Sequence, residues 1–544
     1  MQTNFSELQE QDGLSIAAAA GIAKVSSATI RNWIKAGYLT PSDHGGVSKK
    51  SFDDFIKNIK GHKKLRSRAN KAHKDQHDHV FASENIQNLL KKYQIDNIGD
   101  EYAEFLSDSY RNKEGIYYTP SEIVEDMLSK VSITPQSKFL DPCCGSGNFI
   151  MEALRRGVLP ENIYGFDTDE NAIAITKKRI QHEFGFDTPN IMHGDFFHQV
   201  TNLQTQGIEF DLIFTNPPWG KKIEKDEKKI LAAAFGCGNS HDTSSLFMGA
   251  AFTFLKNNGF LGFLVQEAFF NIAGFEDSRD MVLKREVLCL LDYGKAFKNL
   301  ITRAQALIVR NNFHSKSHIL CNVEGRSFKR SQDSFKNNPK KIFNFWTDSR
   351  ESEVIKQIYS VKHKILRGNA EWALGIVTGN NGRFCRNEYV DNHVPVYKGS
   401  DITKSGLKEA TTFISVTDFD TFQQVAPLEL YQAKEKIIYK FISSRLCFFY
   451  DNKQRYILNS ANLLIPDIEI SPQQLTDLLN SEIINWLFQK LFNTHKVLRG
   501  DLEELPIHID YFSTHAEFSE QNYLNYLGII KSKDGTFRVK RKDH

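Results

Sequence analysis

Four short stretches hold residues whose types and spacing suggest chemistry. The first, "FTNPPWG" at 214 to 220, continues "FDLIFT", an apolar run that reads as a buried strand. Pro217 and Pro218 lack the N–H that a β-ladder requires, so the strand must stop at Asn216. The result is a rigid corner bearing carbonyls, with Asn216 before it and Trp219 after it, although Asn-Pro alone marks only a tight turn. The second stretch, "FLDPCCGSGNF", ends a strand and opens a helix, which is where α/β sheets bind ligands. It departs from the dinucleotide fingerprint. Gly145 and Gly147 supply the first two glycines only, and Asp141 ahead of them would repel a pyrophosphate. A carboxylate there suits a ligand carrying positive charge, such as the ammonium or sulfonium group of S-adenosylmethionine, and the glycines let backbone approach its methionine end. Cys143 and Cys144 have no basic partner in the motif and read as small wall residues, not nucleophiles.

The third stretch, "GFDTDE", places Asp167 at a strand end, where an acid can accept hydrogen bonds from two ribose hydroxyls. In the fourth, "HGDFF", Asp195 stands where it can accept from an adenine amino group. One such acid is more often a helix cap than a ligand contact. Three in register at successive strand ends point together to a ligand with a nucleoside and a cationic part.

The elements that position these residues alternate. Strand-like "KFLD", "NIYGFD", "NIMHGD" and "FDLIFT" are separated by helical segments running to about 156 and 184, and "GFLGFLVQEAFF", "VLCLLDYG" and "AQALIVRNNF" follow beyond a helix near 244 to 256. This pattern predicts a doubly wound α/β sheet, Rossmann-like, in a domain spanning residues 83–315. After about 340 the texture changes to irregular β-like pieces and the helical "SPQQLTDLLNSEIINWLFQKLF", predicting a separate α+β body over 340–544. At the other end, "LSIAAAAGIAKVSSATIRNWIKAGYLTP" reads as helix, turn and second helix, with Ile30, Trp33 and Ile34 on the buried face and "SFDDFIKNI" as a closing helix. Residues 1–60 thus resemble the winged helix-turn-helix of the MerR and excisionase type. That resemblance implies DNA contacts from Thr29, Arg31, Asn32 and Lys35. A three-helix packing module that touches no DNA is the competing reading. Residues 61–82 read as a basic linker; "KNIKGHKKLRSRANKAHK" has no acidic residue, which suits a solvated linker or an arm that contacts phosphates.

Bulk properties narrow the class. At 544 residues the chain is too long for one core and implies about two to four domains. Hydrophobic residues make up 40% and charged ones 25%, and no apolar run approaches the ~18 residues of a membrane span. With no secretory pattern at the N-terminus either, a cytoplasmic protein is expected. Seven cysteines without a Cys-x-x-Cys pair argue against disulfides and zinc, and no metal is expected. The net charge of +3 is too small to identify a nucleic-acid partner.

Taken together, the motifs resemble the gamma-class DNA adenine-N6 methyltransferases of restriction-modification systems, strongly over about 110 to 315 and more loosely over the C-terminal third. The resemblance implies an S-adenosylmethionine-dependent methyltransferase core with a C-terminal target-recognition domain. "GIYYTP", with Tyr118, Thr119 and Pro120, looks like the segment closing over the methionine end of the cofactor; Asp141, Cys143, Gly145 and Gly147 form the first cofactor loop; Asp167 is the ribose acid and Asp195 the adenine acid. Phe247 falls where relatives flank the cofactor adenine, though one phenylalanine among 41 is more often core. Asn216, Pro217, Pro218 and Trp219 become the catalytic loop. Adenine's amine is a weak nucleophile because its lone pair is delocalised, and an acceptor pair, the Asn216 side-chain oxygen and the Pro217 carbonyl, can draw its hydrogens out of plane and localise that pair. Proline fixes φ and pre-aims the carbonyl. Trp219, where the family more often has tyrosine or phenylalanine, would stack on the flipped base, and a second aromatic wall is expected within "KNLITRAQALIVRNNF". The implied partners are double-stranded DNA and a cognate endonuclease encoded alongside, with the chain itself a monomer. Two other readings stand beside this one: methylation of RNA or protein-glutamine amines, and a DNA-binding regulator with a non-catalytic methylase core. Intact Asn216, Pro217 and Asp141 argue against the latter.

Overall fold

The computed structural model describes residues 13–23, 30–31, 33–34, 39–42, 46–59, 117–219, 223–240, 242–297, 302–313 and 318–540. Among these, nine strands form the central sheet: β1 (Phe139–Asp141), β2 (Ile163–Asp167), β3 (Asn190–His193), β4 (Phe210–Thr215), β5 (Leu255–Gln266), β6 (Glu286–Asp292), β7 (Ala304–Arg310), β8 (His318–Val323) and β9 (Arg326–Ser331). Across the sheet they lie in the order β9-β8-β6-β7-β5-β4-β1-β2-β3. Strand β1 pairs in parallel with β2 on one side and β4 on the other, and β7 runs antiparallel between β5 and β6. The chain therefore winds outward in two directions from the β1/β4 boundary. Ligands of open α/β sheets bind at such a boundary.

Both faces of the sheet are covered, which is why its strands read as continuous apolar runs and not as alternating ones. Successive residues still point to opposite sides. Leu140, Ile213, Phe263, Leu307 and Val309 join one core with helices Phe196–Thr205, Thr243–Phe254 and Glu276–Leu283. Phe139, Leu212, Phe214, Leu264 and Ile308 join the other with helices Ser121–Leu128, Asn148–Arg155 and Glu170–Phe184.

The sheet continues past residue 315. Strand β8 pairs in parallel with β6, β9 closes the edge as a hairpin, and Phe335, Phe343 and Phe345 are buried in the same core. The core around this sheet thus reaches past residue 340, where the C-terminal body is expected to begin. β9 is an edge strand whose exposed Arg326 and Lys329 discourage pairing with other chains.

The C-terminal body begins with helix Ser349–Ser360. Its main antiparallel sheet has the order Ala370–Leu374, Ala461–Pro466, Lys436–Lys440, Phe448–Asp451. A second small sheet, built from Cys385–Arg386, Phe413–Ser415, His393–Tyr397 and Tyr456–Ile457, shares a core with its one face through Ile414, Val396, Ile438 and Leu463. Helices Pro472–Leu479, Glu482–Phe492 and Glu520–Leu527 cover the other face against Ile437, Tyr439 and Leu464. The long helical stretch is split at Asn480–Ser481, where Ser481 caps the second helix.

In the N-terminal module, Gly13–Leu14 pairs antiparallel with Val47–Ser48, flanked by helices Ile16–Ala23 and Lys49–Ile59. Ala19, Ala23, Ile30, Trp33, Leu39 and Phe52 make its core, with Trp33 edge-on to Phe55 at 4.9 Å. Arg31 is exposed. Thr29, Asn32 and Lys35 lie outside the described residues, as do the basic linker 61–82 and the start of the expected catalytic domain. No helix of the described residues is long and apolar enough to cross a membrane.

Candidate active site

The two chemistry-bearing loops meet at the β1/β4 boundary because each follows one of those strands. After β1, Gly145 takes φ +53° and Gly147 takes φ +84°, conformations that favour glycine. Space demands it as well. A Cβ on Gly145 would stand 2.8 Å from the Tyr118 ring, and one on Gly147 2.6 Å from the Thr176 methyl. The loop is held from three sides: the Cys144 amide donates to the Phe166 carbonyl of β2 (2.8 Å), the Thr176 hydroxyl to the Gly145 carbonyl (2.9 Å), and the Gly145 amide to Asp167 Oδ2 (2.8 Å). Tyr117, Tyr118, Thr119, Asp141, Cys143, Gly145, Asn148 and Asn216 line one narrow cleft. The glycine loop and the proline corner therefore border the same space.

Asp141 is buried, and its Oδ1 accepts from the Thr215 hydroxyl (2.6 Å) and the Cys143 amide (3.2 Å), tying β1 to β4. Burial pushes its carboxyl up to about 7, against these two hydrogen bonds and with Asp167 nearby adding to the rise. The Cys143 sulfur lies 2.9 Å from the Thr215 hydroxyl and 3.5 Å from the Asn216 carbonyl, so it bridges the two loops. Burial, then the neighbouring Asp167 and Asp141, raise the Cys144 thiol well above its ordinary value, which keeps it a wall residue.

At the corner, the Asn216 side chain donates through Nδ2 to the Tyr117 carbonyl (2.8 Å), while its Oδ1 is buried and has no partner among the described residues. A buried amide oxygen without a donor costs about 1–3 kcal/mol. At the edge of a cleft, such an atom can accept a hydrogen bond from a group that enters it. Pro217 is buried and Pro218 half-buried. Trp219 is packed among aromatic rings. It is 7% exposed, edge-on to Phe297 at 5.2 Å and tilted against Tyr117 at 6.0 Å, because an indole at this corner finds two aromatic neighbours to pack on.

Both Asp167 oxygens already accept from backbone, Oδ2 from Gly145 and Oδ1 from Asp169 (2.9 Å), so any ribose contact uses their remaining lone pairs. Asp195 caps helix Phe196–Thr205 through the Phe197 amide (2.8 Å). Phe247 is a buried ring 4.6 Å from Phe197, the second residue after Asp195. Pro120 stands at the N-cap of helix Ser121–Leu128, which Tyr293 clamps to the end of β6 through Asp126 (2.7 Å).

Several participants escape a reading of the motifs. Tyr117 and Thr215 contribute a main-chain carbonyl and a buried hydroxyl, which carry no sequence signal. Asn148 donates to the Thr119 carbonyl (2.7 Å) and accepts from Arg179 (2.7 Å); it sits inside the quoted glycine motif but outside its glycines. Phe297, the ring on Trp219, directly precedes the stretch expected to hold a second aromatic wall.

Residues 93–369, just over half the chain, match the N-6 DNA Methylase family, and residues 394–507 match the TaqI-like C-terminal specificity domain. The Type II methyltransferase M.VspI of Vibrio sp. (strain 343) is 44% identical over 409 residues, covering 74% of this chain and 100% of that protein. Modification methylase CviBIII of Paramecium bursaria Chlorella virus NC1A is 24% identical over 225 residues, 40% of this chain and 55% of that one. A cryoEM structure of a DrdV–DNA complex aligns with a TM-score of 0.50 at 12% identity, over 81% of this chain and 60% of that chain, a likeness of fold alone. Residues 1–92 lie outside both matched families. With a family match over more than half its length and a relative 44% identical along its whole length, the chain belongs to the N-6 DNA methylase family, as a Type II modification methyltransferase with a TaqI-like specificity domain.

Proposed function

We propose that this chain transfers a methyl group from S-adenosylmethionine to the N6 amino group of an adenine swung out of duplex DNA at a specific sequence, protecting host DNA in a restriction-modification system. The observation that carries this reading is the buried, unpartnered Oδ1 of Asn216 on the cleft it shares with Gly145. The residues present fit the donor: a glycine loop bordering the cleft, a buried carboxyl able to ionise against a cation, and a second carboxylate at the next strand end.

When bound, S-adenosylmethionine supplies a methyl group activated by its sulfonium. The protein's residues do the rest. Gly145 and Gly147 admit the methionine end under Tyr118, Thr119 and Pro120, with Asp141 as the carboxylate for its cationic part and Cys143 as a wall. Asp167 accepts from the ribose, Asp195 from the adenine amine, and Phe247 with Phe197 backs the adenine. Asn216 Oδ1 and the Pro217 carbonyl accept the two hydrogens of the target amine and localise its lone pair. Both acceptors are fixed before the reaction, one by the Tyr117 carbonyl and one by the proline ring, so reorganisation adds little to the barrier. No strong base is needed, since the proton leaves after transfer. The target base enters beside Trp219 by displacing its edge contact with Phe297, which makes Phe297 the second wall.

An RNA or protein acceptor is disfavoured by the TaqI-like specificity domain at 394–507. We also propose that the protein works as a cytoplasmic monomer beside a cognate endonuclease. Its N-terminal module, through Thr29, Arg31, Asn32 and Lys35, either adds target contacts or represses its own operon; deletion of residues 1–60 with no change in methylation or expression would discard both ideas. The main test is modified-base sequencing of DNA from cells expressing the protein. N6-methyladenine at one defined motif, lost in Asn216→Ala, is expected; modification of another base, or none, would refute the assignment.

A further inference from the structure

The segment Tyr117–Thr119 touches three parts of the site. The Tyr118 ring covers Gly145 closely enough to exclude a Cβ there. The Tyr117 carbonyl holds the catalytic amide through Asn216 Nδ2 at 2.8 Å, and the Tyr117 ring lies 6.0 Å from Trp219 and 5.8 Å from Phe297. The Thr119 carbonyl is anchored by Asn148 Nδ2 at 2.7 Å, and Asn148 Oδ1 by Arg179 Nη1 at 2.7 Å. The same Arg179 nitrogen also donates to the Ser146 carbonyl between the two glycines. Arg179 lies on helix Glu170–Phe184 and Asn148 opens helix Asn148–Arg155, so both anchors stand on rigid elements. A continuous run of hydrogen bonds therefore leads from the glycine loop, through Arg179 and Asn148, to the segment that aims Asn216 and backs the target aromatics.

We propose that Asn148 and Arg179 are positioning residues that couple the cofactor loop to the target-base pocket. Occupancy of the glycine loop fixes segment 117–119, and this sets the Asn216 amide and the Tyr117 ring for an extruded adenine. The proposal rests on the reading of Asn216 as the acceptor for the target amine. Coupling of this kind is reciprocal: the factor by which cofactor tightens DNA binding is the factor by which DNA tightens cofactor binding. Asn148 is suited to the task because both ends of its amide are engaged, which leaves it one orientation.

The test uses the full chain and a duplex bearing 2-aminopurine in place of the target adenine, in the motif that sequencing identifies. Its fluorescence reports extrusion, and DNA affinity is measured with and without saturating S-adenosylhomocysteine. The native protein is expected to bind and extrude about tenfold more tightly with the ligand, within the range usual for coupled sites. Asn148→Asp keeps the acceptor for Arg179 but sets a second acceptor against the Thr119 carbonyl, and the enhancement should fall to about twofold or less. Arg179→Lys, which keeps the charge, should lie between, and it decides the matter if Asn148→Asp does not fold. The readout is a ratio at saturation, so a general loss of stability or of cofactor affinity leaves it unmoved. Full enhancement in both variants, or none in the native protein despite extrusion, would overturn the coupling. Absence of extrusion with either ligand state would instead strike the assignment of Asn216.

Discussion

Asp141 and Asp451 are both buried carboxylates, and they are treated in opposite ways. In the C-terminal body, Asp451 takes Lys436 on one oxygen and Arg455 on the other, each at 2.6 Å, and the Lys436 and Asp451 side chains are fully buried. Burial alone would raise its carboxyl, but the ion pair with Lys436 and the amides of Arg455 and Lys453 outweigh it and hold the group below its usual range. Asp141 has a hydroxyl and an amide for partners, and its carboxyl rises to about 7. The two asparagines repeat the contrast. Asn480 donates to and accepts from the Phe448 backbone, both at 2.9 Å, whereas Asn216 leaves its oxygen without a donor. A buried polar group that is fully matched holds a fold together; one left incompletely matched beside a cleft is set for something that arrives later.

Breaking the matched side should have the largest effect. Asp451→Ala leaves Lys436 buried without its counter-ion, and an unfolding titration should show a loss of about 3–5 kcal/mol in the C-terminal body. On the other side, Asn216→Ala should lower the single-turnover methylation rate by about 10²–10³-fold, as for removal of one preorganised group at a reacting centre. Its cofactor affinity, followed by calorimetry, should stay within about threefold; a weakened affinity would show that Asn216 serves the cofactor instead.

A pH series sharpens the comparison. With its folded value near 7, Asp141 carries a proton below that pH, and a cationic ligand must displace it. Affinity for S-adenosylmethionine should therefore fall by about tenfold per pH unit below 7 and level off above it. Asp141→Asn should abolish this slope, and titrations in buffers of different ionisation enthalpy should show proton release in the native protein alone. The smallest effect expected is at Trp219, already packed on Phe297 and Tyr117. Trp219→Ala should weaken binding of an extruded base by about 1–3 kcal/mol, and Trp219→Phe should recover most of it, read as 2-aminopurine fluorescence.

Legibility follows the same division. The strand-end loops were readable because their requirements are local: glycine where φ is positive, proline where a ladder must end, acids where helices begin. The alternation of strands and helices was readable because burial of both sheet faces leaves long apolar runs. The extent of the core around the sheet was not, because Phe343 and Phe345 are buried against Phe270, a contact between distant segments that nothing local announces. No local signal could show that Phe297, 78 positions from Trp219, completes an aromatic cluster around it.

By itself the sequence determined that Gly145, Asp141 and Asn216 lie at the carboxyl ends of core strands, since strand termination and helix initiation depend on neighbouring residues alone. The tertiary structure decided that β1 and β4 are adjacent, that Tyr117 aims the Asn216 amide, and that Asp141 is buried without a cation. Those facts depend on which distant segments are brought together and on how much water is excluded between them. Burial and orientation are properties of the packed chain, and they turn these residues into a site.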